Sequence, residues 1–179
     1  MFQKLLGIQA FGDYDVQAPM GEVLKNTLHS IFEDQEMVAK LQELKEANGG
    51  NLELEFYYKF GSDGSKGHPI FKMVLDEERD QGCLYASGLV PIQIVAKLRN
   101  GQVAIVYNNN LVNSNLSWRP LRLLFKKEST AIIKAEKERL YQQRSELASE
   151  NYELLDGISV KFTGWYSMCD MKVSVLIFF

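Results

Sequence analysis

The sequence predicts a single α+β domain over residues 1–179. A mostly antiparallel sheet of about six to eight strands should carry an N-terminal helix, or helix pair, and one long polar helix packed on it. Three observations predict this class. Side-chain polarity alternates over 51–60, as in a half-buried strand. Asn100-Gly101 separates two apolar-rich runs, as in a hairpin. Residues 23–45 and about 129–154 show helical spacing instead.

The composition indicates a folded protein of one domain. The chain has 179 residues, of which 46% are hydrophobic and 24% charged, so extended disorder is not expected. The formal net charge of −3 disfavours bulk attraction to nucleic acid or to an anionic membrane. Cys83 and Cys169 form no disulfide framework, and no window has the 18 or so apolar residues of a membrane span. We therefore expect a cytoplasmic or otherwise intracellular protein without a membrane partner.

The N-terminal third predicts a strand or arm followed by helices. Residues 1–12 suit a short strand, and Pro19 suits the first turn of a helix. Asp34 is placed to divide the helical stretch and cap a second helix. Gly49 and Gly50 end it, because glycine accepts the left-handed conformation of a helix C-terminus.

The strand at 51–60 should present two different faces. Its buried face is predicted to hold Leu52, Leu54, Phe56, Tyr58 and Phe60, with Glu53, Glu55, Tyr57 and Lys59 opposite. The glycine-rich loop at 61–69 should connect it to an antiparallel strand containing Phe71, Met73 and Leu75. A further short strand is expected at 83–89.

The second half of the chain predicts a hairpin, a strand, a helix and a closing hairpin. Asn100-Gly101 favours the type I′ turn of a two-residue connection. Leu121, Leu123 and Phe125 should form the inward face of the next strand. In the polar helix that follows, apolar residues recur every seven positions, at Ile133, Leu140, Leu147 and Leu154. The last segment should pair a strand beginning at Ile158 with an apolar strand at 173–179.

The loop GSDGSKGHP has the composition of a phosphate-binding loop but not its order. A Walker A loop needs Gly-Lys-Ser/Thr leading into a helix, whereas here Lys66 precedes Gly67 and a strand follows. Without a helix N-terminus there is no dipole to hold a phosphate. We interpret the loop as a solvated turn whose Lys66 and His68 could contact a partner.

Catalytic and metal-binding patterns do not stand out in the sequence. His29 and His68 are the only histidines, and no zinc-ligand spacing occurs. Asp13 and Asp15 form a D-x-D pair, which suits a solvated turn far better than a metal site because two carboxylates alone are too few ligands. The sequence therefore predicts no catalytic residues, no metal and no cofactor.

A basic and aromatic cluster is the clearest candidate binding site. An antiparallel sheet that exposes such residues can bind single-stranded nucleic acid by stacking and phosphate contacts. The candidate residues are Lys97, Arg99, Trp118, Arg119, Arg122, Lys126 and Lys127. The alternative is that Arg122 and Lys126 only line the outer face of a strand, and that Lys126 and Lys127 pair with acids of the long helix.

These observations lead to three hypotheses about function. The first is a non-enzymatic binding protein that contacts another protein or associates with itself. Two observations support it. The polar helix has only a narrow apolar face, so it could contact a partner, and strand edges could pair with another chain. The second is a binder of single-stranded nucleic acid through the basic and aromatic cluster. The third is a small α+β hydrolase-like enzyme that uses Asp13, Asp15 or His68.

Overall fold

A computed structural model describes residues 9–10, 15–65 and 84–167, and in this part of the chain three helices pack on an eight-stranded sheet. The helices are α1 (Met20–Ile31), α2 (Gln35–Ala47) and α3 (Thr130–Ala148). The strands are β1 (Gln9–Ala10), β2 (Asp15–Gln17), β3 (Leu52–Ser65), β4 (Leu84–Lys97), β5 (Val103–Asn108), β6 (Arg119–Leu124), β7 (Tyr152–Leu155) and β8 (Ile158–Tyr166). The α+β class and the N-terminal helix pair are confirmed.

The sheet is mixed, which refines the predicted antiparallel arrangement. Its order is β1-β2-β6-β4-β3-β8-β7, and β5 pairs with β4 as well. β3 and β8 run parallel, from Leu52 opposite Ile158 to Phe60 opposite Tyr166, whereas the other described pairs are antiparallel. A parallel pair needs a long crossover connection. The chain between β3 and β8 supplies one, because it contains α3.

The alternation of β3 is confirmed, and the strand is longer than predicted. Its five predicted inward residues, Leu52, Leu54, Phe56, Tyr58 and Phe60, are all buried. Pairing with β4 continues to Ser65, so the first half of the predicted glycine loop belongs to the strand. Lys66, His68 and the strand expected around 71–75 lie outside the described residues.

β4 is one continuous strand, although the sequence suggests two. Pro91, which cannot donate a ladder hydrogen bond, lies where the pairing with β3 shifts by one residue. The Asn109 side-chain amide stabilises the strand at this shift by donating a hydrogen bond to the Pro91 carbonyl oxygen at 2.7 Å. The turn into β5 also differs from the predicted type I′ form. Leu98 N–H donates to Gln102 O, and Gly101 has φ 81°, as in a three-residue connection.

Both ends of α2 follow the predicted signals, whereas the predicted end of α3 does not. The Asp34 side chain accepts from Glu36 N–H at 2.9 Å and begins α2, and Gly49 and Gly50 end it with φ of 79° and 89°. The predicted end of α3 near Leu154 is wrong, because the helix ends at Ala148. Pairing with β8 takes residues 152–155 into β7, so tertiary contacts override the helical spacing there.

One hydrophobic core joins all three helices to the sheet. Leu24 of α1, Leu41 of α2 and Leu140 of α3 belong to the same buried cluster as Phe56 and Val160. We call the sheet face that carries this cluster the covered face. The first strand of the predicted closing hairpin is confirmed as β8, and residues 173–179 lie outside the described residues. No helix of the described part is long and apolar enough to cross a membrane.

Gly164 should be intolerant of any side chain. It lies on the covered face opposite Tyr58, and a methyl group added there would overlap the Tyr58 ring. Overpacking of this kind typically costs about 1–3 kcal/mol. We therefore expect Gly164→Ala to lower the free energy of unfolding by that amount in urea denaturation.

The Gly164 prediction has an internal control. In a Tyr58→Ala background the overlap is removed, so adding Gly164→Ala should cost much less than it does in the wild type. Equal stability of Gly164→Ala and the wild type would contradict the assigned contact.

Candidate interaction surface

The sheet face opposite the helices forms a continuous surface that we call the open face. Strand register fixes which side chains share it, because residues directly opposite each other point to the same side. It comprises Glu53, Glu55, Tyr57, Lys59, Gln93, Val95, Lys97, Val103, Ile105, Lys161, Thr163 and Trp165. These residues come from four strands, β3, β4, β5 and β8.

Aromatic and aliphatic side chains occupy much of the open face. Tyr57 and Trp165 stack with ring centroids 5.4 Å apart and an interplanar angle of 25°. Towards β5, Val103 is 60% exposed and Ile105 is 55% exposed. Neighbouring exposed apolar residues of this kind are typical of interaction sites, whereas single ones are ordinary.

Pairing within the sheet neutralises most charges of the open face. Lys97 Nζ lies 2.9 Å from Glu55 Oε2, and Lys161 Nζ lies 2.9 Å from Glu53 Oε1. Thr163 also donates to Glu55 at 2.9 Å. Burial alone would raise the pKa of Glu55, but hydrogen bonds from Lys97 and its other neighbours hold it below its usual value. The same bond to Glu55 raises the pKa of Lys97.

Lys59 and the loop before β6 close one side of the open face. Burial lowers the pKa of Lys59, whose ammonium group donates to Asn113 Oδ1 at 3.5 Å. Trp118 packs against Gly88. Gly88 pairs with Gly61, which continues the open-face alternation of β3 after Lys59, so Trp118 lies on the same side of the sheet. The predicted binding residue Trp118 therefore borders the open face.

Arg122, in contrast, lies on the covered face. The pairing between β6 and β4 shifts by one residue between Ser87 and Gly88, so Arg122 pairs with Ser87 and both point towards α3. The expected inward face of this strand is accordingly corrected. Leu121 and Leu124 are buried, whereas Phe125 is 52% exposed.

The other predicted basic residues do not join into one patch. Lys97 pairs with Glu55, and Arg99 lies beyond the end of β4. The Arg119 guanidinium donates to carbonyl oxygens of its own loop, including Leu116 O at 2.8 Å. Lys126 and Lys127 follow β6, whose last residue Leu124 pairs with Tyr85 of β4, 12 residues or about 40 Å along the strand from Lys97.

A buried ionic network on the covered face explains why Arg122 points inward. Glu136 of α3 is 0% exposed and accepts from Ser87 Oγ at 2.5 Å. Arg122 donates to it at 2.9 Å and Arg139 at 2.6 Å. Arg122 also forms a two-point pair with Asp15, at 2.8 and 2.6 Å. This network connects α3 to three strands, β2, β4 and β6.

Little in the sequence indicates this network. Glu136 falls among many charged residues of a polar helix, and only its position four residues before Leu140 places it on the apolar side of the helix. The sequence predicts a surface role for Arg122, whereas the structure turns its side chain inward. The pKa of Arg122 rises above its usual value, chiefly because its guanidinium donates hydrogen bonds to Asp15 and Glu136, although burial opposes this rise.

Of the residues considered for catalysis, the structure describes Asp15 and His29. Asp15 is engaged with Arg122, while Asp13 and His68 lie outside the described residues. The His29 side chain, in α1, contacts Tyr152, with Nε2 2.8 Å from the Tyr152 hydroxyl. Among the described residues no group of three or more histidine, cysteine or acidic side chains could hold a metal ion.

Neither a protein-family model nor a curated protein sequence matches this chain. Function is therefore inferred from the geometry of the open face and its surroundings.

Proposed function

We propose that this chain is a non-enzymatic binding protein whose open face contacts another protein chain, with self-association as one form of this contact. The observation that carries the proposal is the exposed apolar strip of Val103 and Ile105 on the same face as the Tyr57–Trp165 stack. Aromatic residues are enriched in protein interfaces, and charged residues are depleted at their centres.

The charge pattern of the open face favours protein over nucleic acid as the partner. Nucleic-acid binding draws its affinity from basic groups that contact phosphates. On the open face the ammonium groups of Lys97 and Lys161 are already bound to carboxylates. The nucleic-acid hypothesis remains a prediction, and the separation of Arg122 from Lys97 gives it less support than the exposed apolar strip gives to protein binding.

Ile105→Glu tests the proposal because it places a charge in the apolar strip. Ile105 is 55% exposed, so the substitution should leave the fold intact, as circular dichroism can verify. Wild-type and variant chains carrying the same affinity tag should be incubated with extracts of the cells that express the protein. We expect the wild type to capture at least one protein, or an untagged copy of this chain. Ile105→Glu should capture at least tenfold less of it.

Ala135→Glu provides the matched control. It also introduces a glutamate at an exposed position, but on α3. It should retain every protein that the wild type captures. Identical capture by wild type, Ile105→Glu and Ala135→Glu would overturn the proposal. Capture of RNA or DNA that falls steeply with salt, without any protein, would favour the nucleic-acid alternative instead.

A further inference from the structure

A polar groove of about 550 Å³ opens at one end of the sheet, where β3 and β8 begin and β4 ends. Its volume lies within the range of small-molecule sites. Charged and polar side chains on its walls include Glu53, Lys97, Arg99, Asn51, Glu153 and Ser159.

Two of the four charged groups in the groove are already neutralised by the protein. Lys97 is paired with Glu55, and Glu53 is paired with Lys161. In the described part of the chain, by contrast, the side chains of Arg99 and Glu153 form no hydrogen bond or ion pair. The groove therefore offers one available cation and one available anion.

The available charges lie on opposite sides of the groove. Arg99 follows β4 and Glu153 belongs to β7, with β3 and β8 between them in the sheet. Three strand spacings separate the backbones of β4 and β7 by about 14 Å. A ligand that reaches both charges must therefore carry its own two charges several bonds apart.

The wall that carries Arg99 is held in place by the chain itself. Asn48 is buried and its side chain accepts from Arg99 N–H and donates to Asn51 O, each at 2.7 Å. The Arg99 guanidinium lies against Gly49, where a side chain would collide with it. This support connects the end of α2 to the ends of β3 and β4, so the Arg99 wall is organised before any ligand enters.

From this arrangement we infer that the groove binds a small zwitterion whose carboxylate pairs with Arg99 and whose ammonium group pairs with Glu153. The ligand class is an extended molecule with a carboxylate at one end and an amine at the other, such as an ω-amino acid or a short peptide. Arginine suits the carboxylate end because its planar guanidinium can form two parallel hydrogen bonds.

A series of linear ω-amino acids tests both the charges and their spacing. Glycine, 4-aminobutyrate, 6-aminohexanoate and 8-aminooctanoate should be titrated into the isotope-labelled full chain and followed by NMR. We expect shift changes at Asn51, Arg99 and Ser159, with the tightest binding for one of the two longest compounds. Hexanoate and hexylamine, which carry one charge each, should bind about tenfold more weakly or worse.

Variants of the two charged walls complete the test. Arg99→Ala and Glu153→Gln should each weaken binding of the best compound about tenfold to a hundredfold. Lys134→Ala and Glu138→Gln remove matching exposed charges on α3 and should leave binding unchanged. The inference is overturned if affinity does not depend on spacer length, if no compound shifts the groove resonances, or if Arg99→Ala and Glu153→Gln bind as the wild type does.

Discussion

Glu136→Gln is expected to destabilise the protein by about 3–5 kcal/mol, the range seen when one partner of a buried ion pair is removed. The Glu136 carboxylate is 0% exposed and accepts hydrogen bonds from Ser87, Arg122 and Arg139. In the variant, Arg139 loses the carboxylate with which it is paired. One of the two oxygens that now accept hydrogen bonds becomes an NH₂ group, which donates and therefore opposes Ser87 or an arginine. Urea denaturation of wild type and variant measures the loss.

Glu138→Gln is the matched control for this prediction. It makes the same chemical change two residues away on the exposed side of α3, so its effect should stay within about 0.5 kcal/mol. A loss below about 1 kcal/mol for Glu136→Gln would mean that the network does not hold α3 on the sheet.

The network also predicts how stability depends on pH. Burial acts to raise the pKa of Glu136, but hydrogen bonds from Arg139 and Ser87 outweigh it and place the pKa below the ordinary value of 4.5. A carboxyl group with a lowered pKa stabilises the fold above its unfolded-state pKa, and this contribution disappears as the pH falls through the folded-state pKa. Wild type should therefore lose stability more steeply than Glu136→Gln below pH 4.5.

The neighbouring pair Phe56 and Tyr57 should separate folding from binding. Phe56→Ala removes a fully buried ring of the covered face and should cost about 3–5 kcal/mol. Tyr57→Ala removes a ring of the open face that stacks on Trp165, worth about 1 kcal/mol. Urea denaturation measures both losses, and only Tyr57→Ala should leave a stable chain with weakened partner binding. Similar losses of stability in both variants would contradict the assignment of the two faces.

Local signals in the sequence predicted the elements whose causes are local. The alternation from Leu52 to Phe60, the cap at Asp34 and the stop at Gly49 depend on nearest neighbours, and the structure confirms all three. The helix pair and the hairpin between β4 and β5 have the same kind of origin.

The features that were missed depend on pairing between distant segments. A one-residue shift in the pairing of β4 and β6 turns Arg122 to the covered face. The sequence of residues 119–124 alone does not predict this shift. The parallel pairing of β3 with β8 and the burial of Glu136 likewise arise only when α3 crosses the sheet. Because of this shift, the predicted basic cluster is divided, with Lys97 on the open face and Arg122 on the covered face.

Site-specific photo-crosslinking tests the central claim, that the open face is the surface that binds another protein. A photoreactive amino acid at position 105 of the open face is compared with the same group at position 138 of α3 in the cells that express the protein. We predict a covalent adduct of defined mass from position 105, identified by mass spectrometry as a second copy or another protein, and none from position 138. No adduct from position 105, or the same adduct from both positions, would contradict the account.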